Sequence, residues 1–298
     1  MKTDLPLLSR LEIGGGRVLS ADRALAHPGS APAAEPHRPS RKSPPADAPA
    51  ACGAPRTIRL FDRAELHLPP ARAYADAQLD DTQNLARGSL RWKPPLRFSV
   101  RARTSIPDPQ GTFGFGFWND PFSLSLGMGG AARKMPAAPQ CAWFFYGSPP
   151  LDLPLAQGVP GAGWKAAALR FRQIPPLLLA PIAAGGVLLA SFPPARRWAF
   201  DQARRFYSAE ERLLGIDPSA WHAYAVEWTD SWVRFSIDGA EVLRSAHPPI
   251  PPLGLVLWID NQYAVASAEK GFGFGVLPLE REQTLELEDA RIEAPIPA

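Results

Sequence analysis

From Thr57 onward apolar residues recur at every second position along most of the chain. Leu96, Phe98, Val100 and Ala102 alternate with Arg97, Ser99, Arg101 and Arg103, which predicts a strand with one face buried and one in solvent. Phe113, Phe115 and Phe117 alternate with Gly114, Gly116 and Trp118. Val233, Phe235 and Ile237 alternate with Trp232, Arg234 and Ser236, and Asp238-Gly239 then supplies a hairpin turn. Leu285 and Leu287 continue the alternation on an acidic strand. Short strands parted by turn signals predict an all-β fold, an antiparallel β-sandwich.

One region breaks the period. Ile174 to Phe192 carries no charge, and Pro193-Pro194 leads into a stretch where Trp198, Ala199, Ala203, Phe206, Tyr207, Leu213 and Leu214 fall near one helical face. Arg197, Arg204, Arg205 and Arg212 fill much of the remainder, and Arg170 and Arg172 flank the apolar run on its other side. This predicts a helical insertion over 166–215. Its apolar run reaches the lower limit for crossing a bilayer, but its three internal prolines and Gly185-Gly186 argue against a straight span. Two readings stay open for 174–214: a lid or buried helix over the sheet, or an interfacial anchor on a membrane.

The first 55 residues read differently. From His27 to Pro55 prolines sit among Ala, Ser and Arg with almost no large apolar residue, too little to offset the entropy of ordering. Residues 1–55 are therefore expected to be a disordered arm and 56–298 the folded sandwich. No apolar run near Met1 resembles a secretory signal. With only Cys52 and Cys141 in the chain, a cytoplasmic location is expected, membrane-associated if the insertion docks.

Composition narrows the function classes. Thirty-five prolines and 24 glycines exclude a long-helix bundle. A net charge of +3 gives no general field for nucleic acid. That total hides an uneven spread: the side chains of 165–214 sum to about +5 and those of 215–298 to about −8. The five histidines lack metal-ligand spacing, Gly14-Gly15-Gly16 precedes no Lys-Ser/Thr pair, and the Gly271–Gly275 run alternates with Phe like a strand. Neither a metal nor a cofactor is expected.

The stretch Trp221–Gly239 resembles the paired strands of the concanavalin A-like lectin/glucanase superfamily, in particular glycoside hydrolase family 16 and laminarinase-like domains. Trp221, His222, Tyr224, Trp228, Phe235, Asp238 and Gly239 fill that pattern, and the run Gly111–Phe122 is similar to a cleft-side strand of the family. The resemblance runs from about Arg56 to Glu293 and implies a jelly roll. It also implies an E-x-D-x-x-E strand for retaining hydrolysis, which needs two carboxyl groups about 5–5.5 Å apart. The corresponding strand, Gln140–Tyr146, holds no carboxylate. The standard mechanism of the family is not expected.

Candidate chemistry then rests on two similar strand ends. Trp118 and Asp120, like Trp258 and Asp260, stand two apart and share a face. Converging with Asn119, Asn261, Tyr263, Trp143 and Tyr146, they would form an aromatic cleft with hydrogen-bonding groups, and Gly114 and Gly116 would leave room for a ligand. Such a cleft suits a saccharide or a small amphiphilic molecule. The alternative is an enzyme using Asp120 and Asp260 as an unusual carboxylate pair on a glycoside or lipid-linked sugar. A plainer reading makes the aromatics core residues, Asp120 a turn former and His222 structural.

Overall fold

The computed structural model describes residues 8–20, 56–82, 85–121 and 137–294. In chain order the strands are β1 (Ser9–Ile13), β2 (Arg17–Ser20), β3 (Arg56–Leu68), β4 (Asp76–Asp80), β5 (Leu96–Thr104), β6 (Thr112–Trp118), β7 (Gln140–Gly147) and β8 (Gly163–Phe171). Helices α1 (Pro176–Ala190) and α2 (Pro193–Arg204) follow. The chain continues through β9 (Tyr207–Leu213), β10 (His222–Trp228), β11 (Val233–Ile237), β12 (Ala240–Ser245) and β13 (Gly254–Asp260). A hairpin of β14 (Gln262–Ser267) and β15 (Gly271–Val276) precedes the last strand, β16 (Gln283–Ala294).

Two seven-stranded antiparallel sheets result. One, sheet A, has the order β1-β4-β13-β6-β7-β8-β9; the other, sheet B, has the order β12-β11-β10-β5-β16-β3-β2. The alternation that predicts the strands also aims their apolar sides at each other. Phe115 meets Tyr224 edge-on at 5.0 Å between ring centroids, Phe117 meets Trp228 at 5.5 Å, and Phe144 meets Phe235 at 5.5 Å. Each such ring is fully or almost fully buried and contributes about 2–3 kcal/mol of burial free energy. Asp238 and Gly239 both take positive φ, 51° and 81°, forming the tight turn that joins β11 to β12.

The outer faces of the sheets differ in chemistry. On sheet B, Arg103 opposes Glu286 and Arg101 opposes Glu288 in the β5–β16 ladder, with N···O distances of 2.9 and 2.8 Å. Glu227 is paired with Arg234 and Arg97 on its two neighbouring strands. The acidic C-terminal strand is thus neutralised by its neighbours' arginines. On sheet A the outer face carries a cluster of aromatic rings on β6, β7 and β13.

Two expectations need correction. The arm does not extend over the whole of 1–55: β1 pairs with β4 in sheet A and β2 with β3 in sheet B. The expected disorder of 21–55 lies outside the described residues. The helical insertion is also narrower than 166–215. Residues 163–171 form β8, and 207–213 form β9, which pairs with β8 from Lys165↔Leu213 to Phe171↔Tyr207. The helical face drawn through Tyr207 and Leu213 therefore does not exist there, because sheet pairing overrides a weak 3.6-residue period. Among the described residues no helix is long and apolar enough to cross a membrane.

Candidate functional site

Alternation sorts the strands of sheet A cleanly. Phe113, Phe115 and Phe117 of β6, Phe144 of β7, and Leu255, Leu257 and Ile259 of β13 enter the core. Their neighbours in sequence must then face outward. Register places these side chains in rows: Trp258 lies opposite Gly114, which lies opposite Phe145, while Gly116 lies opposite Trp143.

The rings stack on one another. Trp118 and Trp143 lie parallel at 4.5 Å between centroids, Trp143 and Phe145 at 5.6 Å, and Trp258 tilts against Trp143 at 5.5 Å and Phe145 at 6.0 Å. Trp118, Trp143 and Phe145 are half-buried, whereas Trp258 keeps only 7% of its surface exposed. The glycines do not leave ligand space as expected. A Cβ at Gly114 would stand 2.6 Å from Trp258 Cη2, and one at Gly116 2.8 Å from Trp143 Cβ. The Trp258 ring fills the space at Gly114 and the backbone of β7 fills that at Gly116, so the floor is filled, with half-buried rings above it.

At one end of the platform the chemistry turns polar. Trp258 Nε1 donates to Thr112 Oγ1 (3.0 Å), and that hydroxyl donates to Asp260 Oδ1 (2.8 Å), which also accepts from the Gln262 amide (3.0 Å). Asp260 opposes Asp76 in the β13–β4 register. Both are buried, at 8% and 3% exposure. Burial pushes the Asp260 carboxyl up to about 6. Burial, then the nearby charges of Asp260 and Asp80, holds Asp76 well above the usual carboxylate range despite its hydrogen bond with Tyr74. Burial therefore favours the protonated form of both carboxyls, and the neighbouring charges add to this at Asp76.

Asp120 and Asp260 do not meet. Asp260 opposes Thr112, and Asp120 follows Trp118 at the far end of the same strand. The two are separated by more than about 20 Å of strand. Because β6 and β13 are antiparallel neighbours, their look-alike C-terminal ends point to opposite edges of the sheet. Asp120 instead makes a turn with φ of 47°, and its carbonyl accepts from Arg87 Nε and Nη2 at 3.0 and 2.6 Å. A carboxylate pair of Asp120 and Asp260 is excluded by this geometry.

Four expected ligand contacts also have other work. Asn119 is buried, donating to the Ala138 carbonyl and accepting from the Gln140 amide. Asn261 is fully buried, accepting from the Ala75 amide and donating to the carbonyls of Ala73 and Leu277. Tyr146 packs against the core, stacked on Phe113 at 4.8 Å, since three residues along a strand reverse the face shown by Trp143. Tyr263 lies over Gly275 in the β14–β15 hairpin. His222 Nδ1 pairs with Asp238 Oδ2 at 2.7 Å.

Some residues of this face went unmarked in the sequence. Phe145 shares the face of Trp143 by simple alternation. Asp76, Gln78 and Asp80 alternate with the core residues Ala77 and Leu79 along β4, a signal present in the sequence but short. Next to Phe145, Lys165 forms a buried ion pair with Glu211 (3.2 Å) and donates to the carbonyls of Leu153, Pro160 and Gly161. Glu211 accepts from the amides of Leu155 and Ala156. This pair fastens the 153–161 segment over that flank of sheet A. Burial lowers the Lys165 pKa, while Glu211 opposes that shift.

Several solved structures are similar in fold. One is described as an immunostimulatory antigen and pseudo β-1,3-glucanase of Mycobacterium tuberculosis: 13% identical, covering 76% of this chain and 74% of that one, TM-score 0.41. A β-1,3-1,4-glucanase (lichenase) derived from a mouse hindgut metagenome is 14% identical over 78% and 80% of the two chains, TM-score 0.39. The Bacillus licheniformis β-glucanase is 10% identical over 78% and 77%, TM-score 0.35. The chain matches no protein-family model and none of the curated proteins. These are likenesses of fold alone, so its chemistry rests on its own residues.

Proposed function

We propose that the outer face of sheet A binds a saccharide, or another small amphiphilic molecule, without hydrolysing it. The half-exposed stack of Trp118, Trp143 and Phe145 carries this reading. Flat aromatic faces complement the C–H faces of sugar rings. The outward positions on β7 are Cys141, Trp143 and Phe145, a strand with no proton donor or nucleophilic carboxylate for glycoside cleavage. The Asp76–Asp260 pair is buried and tied into the sheet, which suits structure rather than acid–base turnover.

Titration with β-1,3- and mixed-linkage glucan oligosaccharides, galactose-containing oligosaccharides and a fluorescent amphiphile tests this, followed by tryptophan emission. Binding to one of these classes, weakened at least about tenfold by Trp143→Ala with no sugar released, is the expected result. Binding untouched by both Trp143→Ala and Trp118→Ala overturns the site. Steady release of reducing ends overturns the non-hydrolytic reading.

A further inference from the structure

We infer that the α1–α2 hairpin docks the protein onto a bilayer of anionic phospholipid, with an arginine-lined pocket at its base receiving a headgroup phosphate. This goes beyond the reading of the aromatic platform and does not depend on it.

The first observation is an apolar helix with one face exposed. α1 contains no charged residue. Leu177, Pro181, Ala184 and Leu188 recur at intervals of four, three and four, and all are exposed, Leu177 at 82% and Leu188 at 76%. Phe192 at the α1–α2 corner and Trp198 on α2 are exposed as well. Phe200 stacks on Phe272 of β15 at 5.1 Å, and Arg196 donates to the carbonyls of Ala190 and Glu269, so the hairpin is braced against the rest of the protein. Fifteen residues of helix measure about 22 Å, short of the roughly 30 Å bilayer core. The helix is long enough to lie in an interface but not to cross it.

The second observation is charge. A pocket of about 420 Å³ opens where β8 ends and β9 begins, at the roots of the hairpin; Arg170, Arg172, Arg205, Tyr207 and His247 help line it. None of its lining residues is a carboxylate. Among the described residues no acidic side chain pairs with Arg170, Arg172 or Arg205, whereas Arg101, Arg103 and Arg234 on sheet B are all paired. Arginine forks match phosphate oxygens bidentately. Arginines at the roots of a hairpin whose helix exposes apolar side chains supply the two attractions, charge and apolar burial, that an anionic membrane surface rewards. A second copy of the chain fits less well, since a symmetric contact across this face would bring like arginine clusters together.

Flotation of the full chain with vesicles decides it. The protein should float with phosphatidylcholine containing about 30 mol% phosphatidylglycerol, stay behind with phosphatidylcholine alone, and lose binding as salt rises from about 0.1 to about 0.5 M. Arg170→Gln/Arg172→Gln/Arg205→Gln should weaken partitioning about a hundredfold, near fivefold per arginine. Leu177→Ser/Leu188→Ser should abolish flotation with the arginines intact. All these positions are exposed, and unchanged thermal unfolding and circular dichroism of each variant confirm that the fold is kept. The inference is overturned by no flotation, by flotation that ignores lipid charge, or by an arginine or leucine variant that floats like the parent. A dimer that dissociates in the leucine variant overturns it in favour of self-association.

Discussion

Asp76 and Asp260 face each other across β4 and β13, and burial raises both carboxyls above the usual carboxylate range. The unfolded chain would ionise Asp260 near 3.8 and the folded chain near 6. Between those values the folded state holds more protons, so this group's contribution is full below about pH 4 and lost as pH rises to about 6. The loss amounts to about 3 kcal/mol. Urea unfolding of Asp260→Asn should therefore show a shallower fall in stability across that window than the parent protein, and higher stability at pH 7. Parallel profiles would mean that Asp260 is not the titrating group.

Filling the glycine space should disturb the platform. Gly114→Ala forces a Cβ against Trp258 Cη2 and to 2.3 Å from the Phe144 carbonyl oxygen. A loss of about 1–3 kcal/mol is expected, with a shift in tryptophan emission. A parent-like emission spectrum would show that the ring does not rest there.

The Lys165–Glu211 pair offers a directional test. Lys165→Met strands a buried carboxylate and should cost about 3–5 kcal/mol, whereas Lys165→Met/Glu211→Gln should recover much of it. Denaturant midpoints of the two variants, measured side by side, check this; equal losses would argue against coupling.

Asp120→Asn should leave ligand binding unchanged, because Asp120 engages Arg87 through its backbone carbonyl in a turn beyond the platform. Asn261→Ala, though it removes no ligand contact, should destabilise the protein by several kcal/mol, since three buried backbone groups lose their partner. Calorimetry of both variants separates a binding role from a structural one.

Much of this architecture was legible because strand alternation is a local property. Phe113, Phe115 and Phe117 against Gly114, Gly116 and Trp118 already set which face is core, and Trp118, Trp143 and Trp258 do share the outer one. What a linear reading missed was relational. Asp120 and Asp260 look equivalent along the chain, yet antiparallel pairing sends them to opposite edges. Tyr146 was grouped with Trp143 although three positions reverse the face. Asn119 and Asn261 have the composition of ligand contacts, but only coordinates reveal the backbone groups they saturate. Tyr207–Leu213 carries mixed helix and strand signals that the β8 edge resolves. Leu11 and Ile13 alternate with Arg10 and Glu12 ahead of Gly14–Gly16, a weak strand-and-turn signal that the reading of 1–55 as a disordered arm passes over.

The turn that joins β1 to β2 has a topological consequence. β1 completes the border of one sheet and β2 the border of the other, so a short clasp holds both halves of the sandwich. The chain leaves from Ser20, paired with Ala64, and re-enters at Arg56, eight positions away on β3 and about 27 Å distant. About a dozen linking residues would bridge that gap, against the 35 between Ser20 and Arg56. The clasp's place on the two borders is therefore set by the ladders of Ser9–Ile13 and Arg17–Ser20 and not by how many residues separate Ser20 from Arg56.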